Sequence, residues 1–244
     1  MRPNPPKKRR LVRPARRHLA PLPLLIFAAA ILASGPATPR ADGRAVRADE
    51  LTQFFDQIAL GLQPRWLRRW NGPVTVRLSG EVRPAFRARL DRSLADISRW
   101  TGLSFTRAGR RANAGGRNRI TIHVVPHAEM RRRHGREGKV CTATTYGRNG
   151  RLHTARVVIS ARYTDCLDHE LMHALGFDGH WTGGGGTNPI GSVLAPRYAP
   201  NRSFRFTRFD VTAIRTLYHR RLWPGMRRGR ALAQARRLFQ PPQL

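Results

Sequence analysis

Apolar residues recur along this chain at two periods, and the switches between them divide it into elements. Leu51, Phe54, Phe55, Ile58 and Leu62 fall at helical spacing, with Gly61 and Pro64 to end the run, so the pattern predicts an amphipathic helix. Trp66, Leu67 and Trp70 lie among Arg65, Arg68 and Arg69 and read as a packed anchor at the domain edge. Pro73-Val-Thr-Val-Arg-Leu78 alternates and is β-branched, as a strand is, and Gly80 breaks it. Phe86, Leu90, Leu94, Ile97 and Trp100 then restore the helical period from Pro84 to Thr101, before Gly102. Leu103 to Thr106 is a short strand candidate, and Ile120-Thr-Ile-His-Val-Val125 is the strongest strand, closed by Pro126. Val140 to Tyr146 and Leu152 to Ser160 flank Arg148-Asn-Gly150 as a hairpin turning at Asn149-Gly150.

Helices resume with Leu171, Met172, Ala174, Leu175 and Phe177, whose polar face is narrow, as in a helix packed into a core. Thr207 to Tyr218 repeats the period with Val211, Ile214, Leu217 and Tyr218 inward and Thr207 and Asp210 as a capping pair. Residues 226–239 form a last helix with Leu232, Leu238 and Phe239 on its apolar side. Arg107 to Arg119 reads as an exposed loop, His127 to Lys139 as a solvated helix or loop, and Gly183 to Gly186 as a flexible run. The expectation is an α+β fold: a mixed sheet packed on an N-terminal helix and the helix around residue 170, with a helical C-terminal part. Residues 42–244 make one domain in this reading, and residues 227–244 are a helical extension of it.

Residues 1–41 do not fit that domain. Eight basic residues from Arg2 to Arg17, with no acid among them, precede the apolar stretch Leu19 to Ala33 and the small-residue run Ser34-Gly-Pro-Ala-Thr-Pro. That order is a signal peptide's, cleaved between Ala33 and Ala41, so the protein is expected to be exported, periplasmic or secreted, with no membrane span in its mature part. Charge changes the picture further. The chain has 46 basic and 14 acidic residues; without the leader's nine basic residues, 37 remain against the same 14. The mature part therefore attracts polyanions on its own account, and an anionic surface or polymer is a candidate partner. Export argues against nucleic acid as that partner. Cys141 and Cys166 are an even pair in an exported chain and suggest one disulfide, stabilising by about 3 kcal/mol on the loop-entropy model. Two free buried thiols are the alternative, and their spacing matches no paired-cysteine zinc site.

The chemistry concentrates in Cys166-Leu-Asp-His-Glu-Leu-Met-His-Ala-Leu-Gly-Phe-Asp-Gly-His180. His169 and His173, four apart, share a helix face and can hold one zinc ion, with Glu170 placed to act on a metal-bound water. Gly176 ends the helix in a left-handed turn, after which His180 can return as a third ligand; Asp178 is its competitor.

H-E-x-x-H-x-x-G after a mixed sheet resembles the metzincin metalloproteases. In that pattern the third ligand falls at Gly179 here, one residue before His180, and the expected methionine turn is matched by Ser192-Val-Leu194 with Leu194 in its place. Arg69-Trp70, Pro73-Val-Thr-Val, Thr101-Gly-Leu103, the two cysteines, the motif helix and Phe206-Thr-Arg-Phe-Asp210 through Pro224-Gly-Met226 also resemble the DUF2927 family of uncharacterised exported bacterial proteins. Those resemblances imply a zinc metallopeptidase acting on a peptide or protein, with metal ligands His169, His173 and His180, and Glu170 as general base. Tyr198, after the turn, is a candidate oxyanion donor. A non-catalytic, basic cell-envelope binding module with a structural or relic metal site is the competing expectation.

Overall fold

The computed structural model describes residues 47–61, 66–109, 118–134, 139–182, 191–195 and 203–240. The stretch expected to be a leader, Leu62, Gly183 to Gly186 and Tyr198 lie outside them. Residues 45–244 form one compact unit.

The elements follow the apolar pattern closely. Helix α1 (Ala48–Phe55) continues as a π-helical turn, Asp56–Leu60, that Gly61 ends at φ 48°. Strand β1 (Val74–Gly80) leads to α2 (Pro84–Thr101), which has its proline in the first turn and the left-handed Gly102 at its end. Next come β2 (Phe105–Arg107), β3 (Arg119–Val125), α3 (His127–His134), β4 (Cys141–Arg148) and β5 (Arg151–Ser160). Helices α4 (Leu167–Leu175), α5 (Arg208–Leu217) and α6 (Arg228–Phe239) complete the described order. Asn149 and Gly150 both take positive φ, 53° and 77°, as the tight β4–β5 turn requires.

The sheet is mixed and five-stranded, in the order β2-β1-β3-β5-β4; only the β4–β5 pair is antiparallel. Helix α4 lies against β4 and β5. Helix α1, expected on the sheet, runs along α6 and touches α5. Arg228 of α6 bonds Asp56 at 2.6 Å, while Ala231 and Ala235 are buried, so α6 is packed into the same core.

The Trp66–Trp70 segment is an anchor by its hydrogen bonds. Leu67 N–H donates to the Met226 carbonyl, and Arg69 N–H to that of Gly150, at 2.8 and 2.9 Å. Leu67 and Trp70 are fully buried, while Trp66 stays half exposed. The Arg69 guanidinium donates to the carbonyls of Leu217 and Leu222, both at 2.8 Å, and lies over the Tyr218 ring. Cys141 and Cys166 form a disulfide, with Cα atoms 6.6 Å apart, joining β4 to the residue before α4.

Candidate metal centre

Both ends of α4 are held. Asp168, buried in its first turn, accepts from the Ser93 hydroxyl at 2.7 Å and pairs with Arg89 at 3.3 Å. At the other end Gly176 takes φ 113° and donates to the carbonyls of Met172 and His173. Helix termini leave carbonyls without partners. Here the Trp70 indole N–H serves Ala174 and the Tyr218 hydroxyl serves Leu175, each at 2.8 Å. With Leu167, Leu171, Met172, Ala174 and Leu175 buried, the helix has no freedom to rotate its histidine face away.

His169, His173 and His180 converge at that face. Their Nε2 atoms stand 3.2 Å (His169–His173), 3.3 Å (His173–His180) and 3.3 Å (His169–His180) apart. Three nitrogens about 2.0–2.1 Å from a tetrahedral zinc must lie about 3.3–3.4 Å from each other. The donor chemistry agrees with the spacing. Nδ1 of His169 is 2.6 Å from the Val193 carbonyl, and Nδ1 of His173 is 2.6 Å from the Phe177 carbonyl. A carbonyl only accepts, so each Nδ1 carries the proton and each Nε2 turns a lone pair inward. Facing lone pairs repel unless a cation lies between them. Burial, with His169 and His180 alongside, pushes the His173 pKa down to about 3, which keeps it in the neutral form a metal binds. The three residues therefore fit a zinc ion. Glu170, beside His169 on the same helix, is buried at 4% exposure.

The stretch carrying His180 is fixed through its backbone. Gly179 N–H donates to the Ile58 carbonyl at 3.0 Å, inside the π-helical turn, and a Cβ at Gly179 would strike the Gln57 carbonyl. Trp181 N–H donates to the Leu194 carbonyl at 3.0 Å. Asp178 turns elsewhere and pairs with Arg68 at 2.7 Å, so it stands outside the histidine cluster.

Sequence reasoning missed what orients the imidazoles. Asp210 is fully buried and accepts from the Ser192 hydroxyl at 2.6 Å and Val193 N–H at 3.1 Å. It also accepts from Thr207 N–H at 2.9 Å and the Thr207 hydroxyl at 2.8 Å. Burial pushes its pKa up, and these hydrogen bonds pull it back. One carboxylate thus caps α5 and fixes the Ser192-Val193-Leu194 turn, whose carbonyls hold His169 and the residue after His180. The capping pair was legible; its grip on the turn was not, because a backbone carbonyl leaves no mark in a sequence. Leu194 is fully buried in that turn.

A cleft of about 940 Å³ opens beside His180, lined among others by Trp66, Arg68, Arg148 and Arg228.

No family model matches the chain, so membership of the DUF2927 family is not shown. No curated protein matches it either. Among solved structures it is similar to high choriolytic enzyme 1, a hatching enzyme zinc-protease from the medaka fish Oryzias latipes. Identity is 16% and the TM-score 0.36, over 62% of this chain and 94% of that one.

Proposed function

We propose that this protein is an exported, zinc-dependent peptidase. The observation that carries the reading is the triangle of Nε2 atoms at 3.2–3.3 Å, with the Nδ1 atoms of His169 and His173 committed to carbonyls. His169, His173 and His180 hold the ion. Bound there, zinc supplies a Lewis acid for a carbonyl oxygen and brings a water's pKa towards neutrality. Glu170 takes the proton of the attacking water and passes it to the departing amine nitrogen. The cleft beside His180 receives the peptide, with Arg148 and the face of Trp66 on its wall. The disulfide supports export, since such bridges persist in oxidising compartments. Among the described residues no helix is long and apolar enough to cross a membrane.

Elemental analysis of the purified chain and of two variants, alongside an assay for new amino termini on denatured protein, tests the reading. Wild type should hold about one zinc per chain. Glu170→Gln should keep the zinc and lose activity by about 10²-fold or more, while His180→Ala should lose both. Less than about a tenth of an equivalent of zinc in wild type after supplementation, where three histidine ligands predict one ion, would sink the metal site. Undiminished hydrolysis by Glu170→Gln would sink the general base alone. A second reading, a basic cell-envelope binding module with a structural metal, draws on the charge of the sheet.

A further inference from the structure

The described strands contain six arginines and neither an aspartate nor a glutamate. Their alternation sorts them. Val76, Ile120 and Val157 are buried in the core, so their strand neighbours Arg77, Arg119 and Arg156 stand on the face turned away from it. Arg77, Thr121 and Arg156 sit in one lateral row, and Arg119 lies two residues back on the middle strand. Strand spacing puts these guanidinium-bearing positions about 8–10 Å apart, with the Thr121 hydroxyl between two of them.

At the β1 edge of the sheet opens a recess that Arg77 also lines, while Arg107, in register with Val76, reaches it from the other side of the sheet. Strand β2 pairs with β1 only as far as Val76, and from Arg77 on that edge has no strand partner among the described residues. The recess there holds about 630 Å³ and is lined by Arg77, Arg87 and Arg107 with no acidic residue. Arg107 Nη1 is buried without a hydrogen-bond partner, and its Nε comes no nearer to Asp91 than 3.8 Å. Burial and the nearby Arg87 cation lower the Arg107 pKa while Asp91 raises it, so the charge sits at a cost that a bound anion would relieve. Arg119 Nη1 is likewise buried without a partner.

We propose that this recess and the sheet face beside it bind a linear, non-nucleic-acid polymer of phosphate groups. One phosphate seats against Arg77, Arg87 and Arg107, and later units cross Thr121 towards Arg156. The recessed guanidinium lies beyond the reach of a flat bilayer but not of a flexible chain. A bilayer would also want apolar side chains to insert, and Tyr146 at the far edge is the one large exposed apolar residue the strands offer. A single aromatic gives nucleic-acid bases little to stack on. The site shares no residue with the histidine centre and stands whether or not the chain is a peptidase.

Fluorescence anisotropy of the full chain with end-labelled inorganic polyphosphate tests this, against charge-matched single-stranded DNA and phosphatidylglycerol vesicles. Polyphosphate should bind tightest, weakening about 20-fold between 50 and 200 mM salt if three phosphates are neutralised. Arg77→Thr with Arg156→Thr should cost at least about tenfold, as two phosphate contacts are lost, and Arg237→Ser on α6 should change nothing. Arg87→Gln, on the exposed side of α2 and harmless to packing, should weaken binding several-fold and guards against misfolding of the double variant. Wild-type affinity in both variants, salt-insensitive binding, or tighter binding to DNA or vesicles would overturn the proposal.

Discussion

Among the described histidines, what touches Nδ1 separates those of the metal centre from His123. At His169 and His173 a carbonyl fixes the proton on Nδ1. At His123 the partner is the Ser79 hydroxyl, 2.7 Å away, which can give or accept and fixes nothing. Burial and then Arg156, Arg77 and Arg133 lower the His123 pKa below the ordinary 6.5, with Glu129 opposing. A depressed pKa means the unfolded chain binds that proton more readily. The stability His123 confers is therefore full above about pH 6.5 and is lost as the pH falls below it. Urea unfolding of wild type and His123→Asn between about pH 7 and 5 should show the wild type losing stability faster; parallel curves would contradict the assignment. The three histidines that converge were legible at this scale. Sequence could not choose between Asp178 and His180, because the choice depends on Arg68, which lies 110 positions from Asp178.

Among the elements, α2 keeps the bounds its apolar period implied, Pro84 to Thr101, since a proline start and a glycine stop mark it chemically. The first helix does not. Leu51 to Leu62 reads as a single α-helical stripe, yet the chain widens to a π-helical turn at Asp56. The five-residue hydrogen-bond spacing leaves nearly the same side chains inward, so the pattern hardly registers it. The turn matters because the Ile58 carbonyl receives the Gly179 amide there. Gly179→Ala would push a Cβ into the Gln57 carbonyl and displace the stretch bearing His180. The expected cost is about 1–3 kcal/mol of stability from overpacking, together with at least about tenfold in zinc affinity, the scale of losing a ligand's support. Competition with a chromogenic chelator measures the second, and unchanged affinity would show that the contact does not position His180.

For the molecule as a whole, the mixed sheet and the surplus of positive charge were both present in the linear pattern. The way the charge is deployed was not, because strand register decides which arginines share a face. The disulfide has a consequence for the life history of the chain. It fastens β4 to the residue before α4, the helix that brings two of the three imidazoles to the centre. Anything that stabilises one end of such a connection stabilises the other, and the coupling is reciprocal. Zinc affinity should fall when the bridge is reduced, and bound zinc should slow its reduction. Zinc titrations with and without reductant, repeated on Cys141→Ala with Cys166→Ala, measure the coupling; identical affinities would show there is none. A chain built this way would be a poor scavenger of zinc while its thiols are still kept reduced, and would take up its metal late, once the bridge has closed. Oxidation would then act as the clock of its maturation.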